Sequence, residues 1–266
     1  MLARPYVRDC YCKNGGAHLA RLGDQMNVEH GRDMVMSYTR VRNALGVLGM
    51  LLPVFLIIGG VLDNERIEPT ISDFYHTTYR DLFVGTLCAI GVFLISYRGY
   101  RREKGEFIND DWLATSAGIA AFGVALFPNE SQTGQIATMT QANLGIDMTP
   151  VFHYSAALVF FSSLAAFCLV KFPRGAKLHR KRVYHWCGYT ILLCLALTAI
   201  AAAFKNFYPG PIRDVVIANN LIFWFEAFGI WAFGLSWLVK GKADLMLVQA
   251  VHPKDDTALD EDHAAQ

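Results

Sequence analysis

Charge is what this sequence has little of. Of 266 residues, 18% are charged, where a soluble globular domain carries about 25%. The net charge is +1, so no excess of either sign points to nucleic acid or to a strongly charged substrate, and no nucleic-acid partner is expected. Motifs that carry chemistry are also missing. No H-x-x-x-H or H-E-x-x-H pair occurs, which removes the common helical zinc signature, and no G-x-S-x-G is present. The first 39 residues contain no apolar core of the kind a secretory signal needs. The six cysteines do not repeat at disulfide-framework spacing. Cys88, Cys168, Cys187 and Cys194 fall in apolar runs, and Cys10 and Cys12 read as free thiols in a polar stretch.

What remains is apolar: 53% of the chain is hydrophobic and 13% aromatic. The charges cluster between long uncharged runs, as in a chain solvated by lipid. A helix needs roughly 17–25 apolar residues to cross a hydrocarbon core of about 30 Å. Six runs approach or meet that length: Ala44–Leu62, Leu82–Tyr97, Trp112–Phe127, Val151–Val170, Val183–Phe204 and Leu221–Val239. The expected fold is an all-α polytopic membrane protein, a bundle of six transmembrane helices. The second and third runs are short, so their helices are expected to extend into polar flanks. The expected organisation is a polar N-terminal segment over 1–39, the bundle over 40–242 and a disordered acidic tail over 243–266. Met26, Met34 and Met36 stand close to the first run, and translation is expected to start at one of them.

Orientation follows from Lys and Arg placement. Twenty of the 24 fall in the N-terminal segment, the second and fourth loops and the C-terminal tail. The opposite side has four: Arg66, Arg80, Lys205 and Arg213. Both termini are therefore expected in the cytoplasm, and the bacterial inner membrane is the expected location. Ala117, Ala121 and Ala125, beside Gly118 and Gly123, and Gly85 with Ala89 are the small residues that let membrane helices approach. They read as contacts within one bundle, with a homo-oligomer seam as the alternative.

Polar residues near the outer side supply the candidate site, because lipid cannot solvate an ionisable group. Glu226 lies about 7–8 Å inside the sixth run at 1.5 Å per residue, with Asn219 seven residues earlier and Asn220 beside it. In the first external loop Ser72 or Asp73 is a natural helix N-cap. A helix starting there puts Asp73, His76 and Arg80 on one face, with Asp81 next to it. His153 opens the fourth run. Ser72, Asp73, His76, Arg80, Asp81, His153, Asn219, Asn220 and Glu226 are thus expected to form an outward-facing polar pocket between the second, fourth and sixth helices.

Three functions suit such a pocket. Lipid binding or handling leads, with membrane lipids as partners, no cofactor, and Arg80 on a phosphate. A membrane-embedded hydrolase acting on a lipid would need zinc, with His76 and His153 as ligands beside Asp73 or Asp81. A proton-coupled transporter would use Glu226 as proton carrier. No catalytic residue is assigned on these readings.

Pro69-Thr70-Ile71-Ser72-Asp73, just after the first run, resembles the P-x-I-S-D signature of the FRAG/DRAM/SFK group of six-span membrane proteins. Phe74, Tyr75 and His76 follow where that group continues with Gly and a Pro-Glu pair. Arg80-Asp81-Leu82-Phe83-Val84-Gly85 and Val124-Ala125-Leu126-Phe127-Pro128 are similar to stretches of uncharacterised bacterial six-span integral membrane proteins, over about residues 40–242. The resemblance implies a lipid-related setting and no defined reaction. A looser similarity to membrane ceramidase-type hydrolases rests on Ser, Asp and His near the second run.

Overall fold

The computed structural model describes residues 39–62, 67–97, 99, 109–130, 134, 136 and 138–242. The expectations on the N-terminal segment up to residue 38, on translation start, on Cys10 and Cys12, and on the tail from residue 243 lie outside the described residues. Among the described residues the structure is helical, with no strand. Helix α1 covers Thr39–Leu62. A 3-10 turn, Ser72–His76, precedes α2, Arg80–Ile95, and α3 is Asp110–Leu126. A short α4, Met139–Leu144, leads to α5, Thr149–Ala166, which runs on as one wide π turn over Phe167–Lys171. Then come α6, Leu178–Phe207, α7, Pro211–Ala218, and α8, Leu221–Lys240.

Four of these helices are long and apolar enough to cross a membrane: α1, α5 with its π turn, α6 and α8. Helices α2 and α3 have 16 and 17 residues, about 24–26 Å at 1.5 Å per residue. The expected polar extension is real but small at α3. Asp110 and Asp111 join its first turn, where carboxylates favour the helix dipole, and the Asn109 side chain caps it by accepting from the Asp111 N–H at 3.3 Å.

At α2 the expected early start does not occur. Ser72 and Asp73 enter a 3-10 turn without any side-chain cap, and Thr77 then turns extended (φ −113°, ψ 177°). The reason lies in the neighbouring side chains. The turn is folded into the bundle so that Phe74 and Tyr75 are buried, and the Thr77 hydroxyl closes it by donating to the Phe74 carbonyl at 2.9 Å. Asp73, His76 and Arg80 therefore do not share a helix face.

Helix ends meet in two groups, so consecutive long helices run in opposite directions. At one end the guanidinium of Arg42 donates to Tyr97 Oη at 3.2 Å, Lys171 pairs with Asp110, and Arg180 reaches the Val239 carbonyl at 3.4 Å. At the other end the loop before α2 is tied to α8: the Phe223 N–H donates to the Pro69 carbonyl at 3.0 Å.

Small residues set the helix spacing. A Cβ on Gly234 would stand 2.9 Å from the Gly46 carbonyl oxygen and 2.9 Å from the Met50 nitrogen, so α1 and α8 touch backbone to backbone. Likewise a Cβ on Gly118 would come within 2.7 Å of the Gly91 carbonyl oxygen, which welds α3 to α2. Ala117, Ala121 and Ala125 are fully buried, as their spacing implies, whereas Gly85 is exposed and touches nothing. The outward surfaces of the helices carry large apolar side chains, among them Phe55, Val92, Ile119, Leu193, Ile200 and Phe228. Water would penalise such a surface and lipid does not.

Candidate functional site

The site begins at the 3-10 turn. The Ile71 N–H, at its entry, donates to the Glu226 carboxylate at 2.7 Å. Glu226 is thus a partnered, part-buried group: it replaces the helix neighbour that the Ile71 amide lacks. One residue on, Ser72 Oγ lies 2.9 Å from His153 Nε2. Next, the Asp73 N–H donates to Thr70 Oγ1 at 2.9 Å, and Asp73 Oδ1 accepts from the Asn129 side-chain amide at 2.6 Å. Asn129 Oδ1 in turn faces His76 Nε2 at 3.0 Å. The other oxygen of Asp73, Oδ2, is buried without a hydrogen-bond partner.

His153 is held from both sides. Its Nδ1 lies 2.7 Å from the Phe127 carbonyl oxygen. A carbonyl only accepts, so Nδ1 carries the proton in the neutral ring. Nε2 is then the acceptor, and the Ser72 hydroxyl donates to it.

Below this polar knot lies a cavity of about 850 Å³. Its walls come from α5, α6 and α8, with Phe83 and Leu87 of α2 behind; Phe160, Phe161, Leu195 and Ile230 make it apolar. Ser72, His153 and Glu226 line its polar end, joined by Lys205 and Asn206 of α6. Val151, Leu158 and Ala199 line it while also being exposed on the outside of α5 and α6. The cavity therefore opens sideways between those two helices.

Of the nine residues singled out by sequence, three meet in this cavity: Ser72, His153 and Glu226. Asp73 and His76 sit in the hydrogen-bond chain behind it. Arg80 lies over the Tyr75 ring at 4.6 Å and donates to Tyr75 Oη at 3.2 Å, so it does not line the cavity. Asp81 is exposed. Asn219 bonds locally to the Val215 carbonyl at 2.9 Å, because α7 ends at Ala218 and Asn220 turns left-handed (φ 48°) before α8. Asn219 and Glu226 are thus on different helices and share no face. Asn220 instead anchors the loop, donating to the Ile67 carbonyl at 3.2 Å.

Helix α6 is a wall of the cavity that the sequence reading does not include. Its Lys205, a cation at the end of a long apolar run, is the signal that points to it. As for zinc, the described residues hold no group of three or more His, Cys, Asp or Glu set to bind a metal. His76 and His153 are directed to different partners, Asn129 and Ser72.

The fold and site define a helical protein with four helices suited to a membrane and a lateral apolar cavity with a polar end. No protein-family model matches the chain, and neither a curated protein nor a solved structure does.

Proposed function

We propose that this chain is a six-span membrane protein, with both termini in the cytoplasm, that binds one lipid-like amphiphile in its lateral cavity. The cavity carries the reading. A volume of about 850 Å³ lies in the range of about 300–1,000 Å³ that suits small-molecule sites. Its lower walls accept a hydrocarbon chain, and its upper end offers Lys205, Asn206 and Ser72 to a headgroup. Lys205 shares this cavity with the carboxylates Glu130, Asp147 and Glu226, so a polar headgroup that offers both an acceptor and a donor fits best.

Six spans are supported by the alternation of helix direction and by the short lengths of α2 and α3, which fit a core of about 30 Å with their polar ends at its edges. The orientation rests on the distribution of Lys and Arg. On that orientation the cavity lies in the outer half of the bilayer, and the opening between α5 and α6 faces lipid directly. The resemblance to the FRAG/DRAM/SFK group and to bacterial six-span proteins points the same way, and the bacterial inner membrane is the proposed location.

The test is binding of a fluorescent long-chain fatty acid to the purified chain in detergent. The expected result is one saturable site, weakened at least about tenfold, or about 1.4 kcal/mol, by Thr198→Trp, which fills the cavity from α6. Equal binding by both proteins, or no saturable binding, sinks the reading.

A further inference from the structure

We infer that Ser72 and His153 form a nucleophile–base pair that cleaves an acyl ester whose hydrocarbon chain occupies the cavity. The inference rests on the amphiphile reading and adds a reaction to it.

The geometry has the three elements that an activated serine requires. The nucleophile and base are in hydrogen-bond contact, at 2.9 Å. The base is oriented by a third group, the Phe127 carbonyl, which at 2.7 Å from Nδ1 fixes the tautomer that leaves Nε2 free to take a proton. Both side chains line the cavity that would hold the substrate. The serine is also fixed in place. On one side of it the Ile71 N–H is held by Glu226 at 2.7 Å, and on the other Asp73 is held by Thr70 and Asn129. A nucleophile locked from both sides gains the orientation that makes such pairs effective.

The chemistry balances without a metal or a redox partner. Ser72 Oγ attacks the ester carbonyl carbon, and its proton passes to His153 Nε2. The tetrahedral adduct collapses, the C–O bond to the alcohol breaks, and His153 returns the proton to the leaving alkoxide. Water entering from the polar end then attacks the acyl-serine, and its proton goes to His153 and on to Ser72 Oγ. The products are a carboxylic acid and an alcohol. Glu226, Asn129 and Phe127 are positioning groups in this scheme.

The probe is a long-alkyl fluorophosphonate, which forms a bond from Ser Oγ to phosphorus with loss of fluoride. The full chain in detergent is treated and followed by intact mass and peptide mapping. The expected result is one adduct per chain on Ser72, absent from Ser72→Ala and formed at least about 100-fold more slowly in His153→Gln. Heat-unfolded protein should not react. Absence of a Ser72 adduct in the folded wild-type chain overturns the inference, and that result does not depend on any variant folding. Labelling at the wild-type rate in His153→Gln overturns it as well. The fatty-acid binding assay on the same preparations separates the two claims. Binding without labelling removes the reaction and leaves the binding site; labelling without binding removes the apolar-chain subsite.

Discussion

Lys171 Nζ stands 2.8 Å from Asp110 Oδ1, and their side chains are only 3% and 9% exposed. The π turn at Phe167–Lys171 places the lysine there, by adding one residue to the last turn of α5. Truncating one partner takes from the other buried charge its counter-ion at 2.8 Å, a loss that costs up to about 3–5 kcal/mol. Asp110→Ala and Lys171→Ala should each lower the unfolding midpoint in detergent sharply. The double variant Asp110→Leu, Lys171→Met should recover most of the loss. Additive losses would show that the pair is not coupled.

Glu226 holds the loop by accepting from the Ile71 N–H at 2.7 Å. Glu226→Ala strands the Ile71 N–H, and an unsatisfied buried donor costs about 1–3 kcal/mol. The expected readout is local: faster hydrogen exchange at Ile71 and Ser72, with the amides of α2 unchanged. Glu226→Gln keeps an acceptor oxygen and should retain most of the protection. If both variants exchange like the wild type, the loop is held by its other ties, at Asn220 and Phe223.

The α1–α8 contact depends on the absence of a side chain at one position. With the Gly46 carbonyl and the Met50 nitrogen both 2.9 Å from any added Cβ, Gly234→Ala forces rigid backbones apart, at a cost of about 1–3 kcal/mol. Gly234→Val should cost more, and Gly85→Ala nothing measurable, since Gly85 has open space around it. Thermal unfolding of the three variants should separate them in that order.

Much of the fold is readable from hydrophobic length alone, because lipid tolerates so few structures. Glu226, Ser72 and His153 also stand out from sequence, as polar groups where polarity is costly. Their partnership is less visible. Helical spacing makes Asp73, His76 and Arg80 look like neighbours, but Phe74 and Tyr75 gain more by burying themselves, and the chain turns instead of continuing as a helix. Asn219 fails for a similar reason, since a left-handed Asn220 separates it from Glu226. Nothing in the sequence points to the Lys171–Asp110 pair. Lys171 reads as one of the charges that set topology, and only a π turn, which has no sequence signature here, brings it inside.

The proposed topology makes a prediction that needs no knowledge of function. Asn143 in α4 and His179 at the start of α6 are both exposed and belong to opposite groups of helix ends. In a chain with Cys10 and Cys12 changed to Ser, Asn143→Cys should react with a membrane-impermeant maleimide on intact cells. His179→Cys should react only after the membrane is opened. The four described native cysteines, Cys88, Cys168, Cys187 and Cys194, lie within the helices, so the background should stay low. Reversal of the two patterns would put the cavity in the inner leaflet, and an amphiphile would then reach it from the cytoplasmic side. Equal reaction of both sites on intact cells would place the intervening helix α5 outside the bilayer and remove the six-span arrangement.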